Sequence, residues 1–164
     1  MRACLFLALL LGTVFSAAAP AQKKYNGPRP PKPDVPFLLT AGKLTELESG
    51  AASQSEVKDN MVFTVSGAAS PVQTPVPEPI FLFQADKINP DRLSLYRMAV
   101  ANGKRSLTFP TGKKSKNAPK PVYFLVTPLD GALFRVEVNE YIEAGEYCFS
   151  PDGSNQVFCF TTLP

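Results

Sequence analysis

The chain has 164 residues, with 17 Lys or Arg, 14 Asp or Glu, 17 Pro, three Cys and neither His nor Trp. That length suits one domain, since domains commonly run to ~100–150 residues, and a net charge of +3 predicts no nucleic-acid or other polyanion partner by itself. Without His, acid–base catalysis near neutrality lacks its usual carrier and a zinc site lacks a usual ligand, so neither metal nor cofactor is expected.

Residues 1–21, MRACLFLALLLGTVFSAAAPA, place Arg2 ahead of an apolar run from Cys4 to Phe15 and small residues from Ser16 to Ala21. This is the layout of a secretory signal peptide. The apolar run is shorter than the ~20 residues that span a bilayer. Cleavage fits after Ala18 or after Ala21, and Ala21 is preferred because Gln22 opens a polar stretch. Cys4 precedes the apolar run instead of following it, so it lacks a lipid-attachment context. The expected location is therefore the periplasm or the outside of the cell, where disulfides persist. The mature chain keeps 16 basic and 14 acidic residues and two cysteines, Cys148 and Cys159.

Residues 22–36 contain NGPRPPKPDVP, which favours extended polyproline II and reads as a spacer. Residues 37–164 form the expected single domain. TELESGAASQSEV (45–57) is the one segment with room for a helical turn or two, with Thr45 and Glu48 at capping-box spacing, although its small residues suit a loop equally. SPVQTPVPEP (70–79) forbids a helix and predicts an irregular connection or a sheet edge.

Elsewhere the apolar pattern is short and rich in β-branched and aromatic residues: VPFLL (35–39), MVFTV (61–65), IFLF (80–83), LSLYRMAV (93–100), VYFLVT (122–127), LFRVEV (133–138), EYCF (146–149) and VFCF (157–160). Each run has strand length and is bounded by Gly, Pro, Asn or Asp. The fold class predicted is all-β, an antiparallel β-sandwich that is immunoglobulin-like in the broad sense, with a small β-barrel as the alternative.

The turns predict registers. Pairing outward from Asn102-Gly103 sets Val100 opposite Arg105, Met98 opposite Leu107 and Tyr96 opposite Phe109, an apolar face except near the turn. Pairing outward from Asp130-Gly131 sets Thr127 opposite Phe134, Leu125 opposite Val136 and Tyr123 opposite Val138. That register sends Arg135 and Glu137 outward together with Phe124 and Val126, which would leave an apolar face for another chain. In GEYCFSPDGSNQVFCF (145–160), Cys148 falls opposite Cys159, Phe149 opposite Phe158 and Tyr147 opposite Phe160. The aromatics then anchor the hairpin to the core, and the two cysteines sit across from one another on the less buried face, as a disulfide or as two small hydrophobes.

Chemical motifs are sparse. Ser55 and Lys58 have the S-x-x-K spacing of serine enzymes that use lysine as base, but no partner motif accompanies them. Six basic residues and no acid occupy 102–120 (Lys104, Arg105, Lys113, Lys114, Lys116, Lys120), and the loop lysines Lys113, Lys114, Lys116 and Lys120 are candidates for contact with an anionic envelope polymer. Five acids and no base occupy 136–152 (Glu137, Glu140, Glu143, Glu146, Asp152) and read as a solvated surface, or as the carboxylates of a hydrolase or carbohydrate-binding domain. Asp152, Ser154 and Asn155 offer oxygen ligands but lack a calcium-loop frame and suit a plain turn.

EPIFLFQADKINPDRLSLYRM (78–98) together with GEYCFSPDGSNQVFCF resembles small exported bacterial proteins of unassigned function, which carry a signal peptide, a Pro-rich spacer and a terminal GEY…F hairpin closing a β-sandwich. The resemblance implies bacterial origin and that fold, and it brings no catalytic residues. The function expected is a non-catalytic exported interaction or structural module, its partner an envelope polymer or another exported protein.

Overall fold

The computed structural model describes residues 24–111 and 118–164. Its strands, numbered in chain order, form two layers. The first sheet runs β10 (Phe124–Asp130), β11 (Leu133–Val138), β7 (Ile80–Gln84), β1 (Pro36–Thr40) and β2 (Lys43–Glu46). The second runs β3 (Glu48–Ala51), β13 (Gln156–Thr162), β12 (Gly145–Pro151), β8 (Leu93–Ala101), β9 (Lys104–Pro110), β5 (Asn60–Ser66) and β4 (Ser53–Val57). Its strands pair antiparallel, and β6 (Gln73–Thr74) lies parallel to β13 beyond β3. A single 3-10 turn at Pro90–Arg92, capped by the Asn89 side chain, leads into β8. The protein is therefore an all-β sandwich, and the second sheet curls into a half-barrel.

Alternation puts large apolar residues of both sheets into the space between them. Phe81 of β7 meets Phe149 edge-on at 5.1 Å and lies 5.1 Å from Phe160, so one ring of the first sheet ties both strands of the terminal hairpin. Tyr147 stacks on Phe160 at 5.6 Å, and Leu38, Phe83, Val136, Val138 and Phe158 complete the layer. Such aromatic pairs add ~0.5–1.5 kcal/mol beyond their area burial.

Three departures from the sequence reading have physical causes. Residues 45–57 are extended, carrying the end of β2 and all of β3 and β4, because β13 and β5 each offer an open edge that outweighs weak local preference. The β10–β11 register carries a bulge between Pro128 and Asp130, so Val126 meets Val136 and Phe124 meets Val138. One extra residue flips every side chain of β10. Phe124 and Val126 consequently pack on the core, Phe124 at 5.5 Å from Phe149, and the exposed residues are Tyr123 and Leu125 at 56% and 41%. Finally, the proline cluster 70–79 has the expected irregular path and edge pairing, yet it buries Ser70 and Thr74.

The proline-rich stretch is fastened across one end of the first sheet. Arg29 pairs with Asp130, Lys32 with Glu46 at 2.9 Å, and the Asp34 N–H donates to the Gln84 carbonyl at 2.8 Å. The Asp34 carboxylate accepts the backbone N–H groups of Asp86, Lys87 and Ile88 at 2.9–3.0 Å. Among the described residues, no helix is long and apolar enough to cross a membrane.

Candidate binding cleft

The β8–β9 hairpin begins as its sequence predicts. Asn102 and Gly103 have φ of 51° and 73°, the two left-handed residues of a tight hairpin turn, and Val100 pairs with Arg105. Pairing stops after Ala99 and Ser106. From there β8 follows β12, from Met98 opposite Glu146 to Leu93 opposite Pro151, whereas β9 follows β5 out to Pro110 opposite Asn60. The Val122 N–H takes the Leu95 carbonyl at 2.8 Å, an edge that β9 has left. Met98 therefore does not pair with Leu107, nor Tyr96 with Phe109, as expected from an unbroken ladder. Their side chains instead line the two walls of a gap, with the Tyr96 and Phe109 rings meeting edge-on at 5.5 Å.

Through this splay, β9, β5 and β4 fold back over the outer face of β8, β12 and β13. The hairpin register Tyr147–Phe160, Cys148–Cys159, Phe149–Phe158 is the one anticipated, and Cys148 and Cys159 are joined as a disulfide with Cα atoms 4.1 Å apart. Their face is not the less buried one: Cys148 and Cys159 are 3% and 0% exposed. They belong to a second apolar cluster with Ala52, Val65, Met98 and Val157, against which Phe63 and Leu107 pack. The cover supplied by β9 and β5 could not be inferred from the hairpin itself.

Between this cover and the sheet beneath it lies a cleft of about 430 Å³, at the small end of the ~300–1,000 Å³ typical of ligand sites. Val65, Met98, Leu107 and Cys148 line its inner part, and Phe63, Tyr96 and Phe109 its flanks. The polar lining comes from Gln54, Ser94, Ser150 and the turn Asp152–Asn155. That turn is held by its own backbone: the Ala52 N–H donates to the Asn155 carbonyl at 2.8 Å, and the Asp152 N–H to the Arg92 carbonyl at 3.0 Å.

Beside the cleft, where Arg105 pairs with Val65, the hairpin is locked by charge. Arg105, one of the six basic residues of 102–120, is fully buried. Its guanidinium donates to both oxygens of Glu48 at 2.7 and 2.8 Å and to the Ser66 and Gly67 carbonyls at 2.8 and 3.1 Å. Glu146 stands at 3.7 Å and, against expectation, is buried, accepting from the Ser70 N–H and the Thr161 hydroxyl at 2.9 and 2.7 Å. Burial pushes the Glu48 carboxyl upward, but hydrogen bonds and the Arg105 charge outweigh it and hold its pKa below the ordinary value. Glu48 in turn raises the Arg105 pKa. The lock ties β9 to β3 and the loop after β5, fixing the hairpin where its strands part. Its trace in the sequence was Arg105 itself, the one charge on an otherwise apolar hairpin face.

The remaining acids are dispersed. Glu137 pairs with Arg135 at 3.0 Å, Glu143 with Arg97 at 2.7 Å and Asp152 with Arg92 at 3.0 Å, and Glu140 accepts the Tyr123 N–H at 2.8 Å. Asp152 is the one carboxylate among the described residues lining the cleft, so the lining presents no facing pair for glycosidic chemistry. Ser154 accepts the Gln156 N–H at 3.0 Å within the turn. Ser55 lies on exposed β4 and Lys58 in the turn that follows, so the S-x-x-K pair has no helix beneath it. Among the described residues, no group of three or more Cys, Asp or Glu is placed to hold a metal ion. Lys113, Lys114 and Lys116 lie outside the described residues, and Lys120 is exposed.

Comparison with protein-family models, with curated proteins and with solved structures found no match to this chain.

Proposed function

We propose that the protein is a non-catalytic, exported binding module that holds a small molecule in the cleft between its splayed strands β8 and β9. The observation that carries the reading is the splay: two strands joined by a tight turn part after three residue pairs, and the space beside them is lined by apolar and polar residues. A cleft built at the cost of ladder hydrogen bonds and anchored by a buried ion pair is a feature that folding alone does not require. Export is supported by the leader layout of residues 1–21 and by the disulfide. The lysine-rich segment 113–120 remains a second proposed contact, for an anionic envelope polymer, and the bacterial origin implied by the resemblance accords with both.

A fragment screen on the isotope-labelled mature protein tests the proposal. Hits are expected to shift amide signals of β8, β9 and the turn 152–155, and no hit is expected to be chemically altered. Hits scattered over the first sheet, or turnover of a fragment, would refute it. For the lysines, isolated envelope is bound by the wild type and less by the Lys113→Glu, Lys114→Glu, Lys116→Glu variant; undiminished binding rejects that contact.

A further inference from the structure

The cleft is graded along its length, and the grading follows from strand register. Toward the Asn102–Gly103 turn, Met98 on β8, Leu107 on β9 and Val65 on β5 face the buried disulfide. Toward the open end, Ser94 lies opposite Ser150 across the β8–β12 ladder, and the turn 152–155 stands beside them. The turn's own hydrogen bonds consume backbone groups and the Ser154 hydroxyl. Ser94, Ser150 and Asn155 supply the polar lining of this part of the cleft.

The lining also excludes charge. Among its described residues there is no Lys or Arg, and its one carboxylate, Asp152, is matched by Arg92 at 3.0 Å. An anionic head would meet Asp152 and no lining cation, so it would enter without a counter-charge; a cationic head would meet a single exposed carboxylate whose charge Arg92 already offsets. A head bearing hydroxyls meets donors and acceptors that are already placed. Resting on the binding role proposed above, we infer that the occupant is a neutral amphiphile: a short alkyl or aryl tail against Met98, Leu107 and the disulfide, with a hydroxylated head such as a sugar ring at Ser94, Ser150 and Asn155.

Calorimetric titration of the mature protein with three probes decides the matter: n-octyl β-glucoside below its micelle-forming concentration, octanoate, and glucose. Saturable binding of octyl glucoside is expected. Octanoate binds about tenfold or more weakly, since its carboxylate is unpaired in the cleft, and glucose, lacking the tail, gives no saturation over the same range. Leu107→Trp fills the inner cleft and removes octyl glucoside binding, whereas Leu125→Ala, on the first sheet, leaves it unchanged. Octanoate binding as tightly as octyl glucoside, with both lost in Leu107→Trp, overturns the neutral-head assignment and leaves the binding role standing. Octyl glucoside bound equally by wild type and Leu107→Trp, or by neither while fragments shift other surfaces, overturns both. Should Leu107→Trp fail to fold, amide shifts in the wild type decide: changes at Tyr96, Leu107, Ser150 and Asn155 support the assignment, and changes confined to other elements overturn it.

Discussion

Changing Glu48 to Gln keeps the shape of the side chain and removes its charge from a cation that water does not reach. Arg105 is fully buried and makes four hydrogen bonds, two of them to Glu48. In Glu48→Gln one of those two N–H groups faces an amide NH2, and the remaining counter-charge is Glu146 at 3.7 Å, itself already engaged by Ser70 and Thr161. Breaking one side of a buried ion pair costs ~3–5 kcal/mol. The Glu48 side chain is 27% exposed, so water reaches its outer side and the lower end applies, about 3 kcal/mol. Arg105→Met added to Glu48→Gln removes the stranded cation and recovers much of the loss, because deleting both partners is milder than deleting one. Urea unfolding at neutral pH with the disulfide intact measures both variants. The pH dependence carries a defined sign: a carboxyl held low in the folded protein contributes stability that is present above its ordinary 4.5 and disappears as pH falls through the lower folded value. The gap between wild type and Glu48→Gln is therefore widest near neutrality and narrows in acid below that value. A loss under about 1 kcal/mol, the scale of an exposed pair, or a gap that widens on acidification, would refute the lock.

Replacing Cys148 and Cys159 together by Ala should lower stability by about 3 kcal/mol, as expected for opening a short loop, and intact mass of the chain from residue 22 onward, alkylated in denaturant without reductant, should show no added alkyl group. Phe124→Ala should cost about 2–3 kcal/mol and Leu125→Ala under about 1 kcal/mol, by urea unfolding; the reverse order would restore the unbulged register. Asp34→Asn should cost about 1 kcal/mol by weakening the bonds its carboxylate accepts from the backbone of residues 86–88. Burial raises the Asp34 carboxyl, but the N–H groups of Ile88, Asp86 and Lys87 outweigh it and hold the pKa below 3.8, so this contribution is also present above that value and lost as pH falls through the folded one. Thermal unfolding of the two proteins should converge in strong acid.

The sandwich was legible because its central strands combine β-branched and aromatic residues with unambiguous turns, and the terminal hairpin's register followed from Tyr147, Cys148 and Phe149 alone. What was illegible depended on single residues acting at a distance. The bulge between Pro128 and Asp130 reversed the faces of Phe124 and Leu125, and alternation cannot signal an inserted residue when both faces carry apolar side chains. Ser53–Val57 is exposed throughout and has no strand preference strong enough to announce itself; it is a strand because β5 offers an edge. The cleft needed three facts together: Arg105 is buried, Glu48 is its partner, and Val122 takes the place that β9 vacates on Leu95. Each residue was visible, with Arg105 even marked as the charge on an apolar face, but the partners lie 57 and 27 positions away in sequence.

The terminal hairpin is enclosed on both faces, aromatics against the first sheet and sulfurs beneath the folded-back strands. Every other strand to which it binds, β3, β6 and β8, precedes it in the chain. Both apolar clusters draw on this hairpin, so neither can close until residues 145–162 are in place. Contacts of such long sequence separation form slowly, so closure of the core on both faces of this hairpin is a late event in folding.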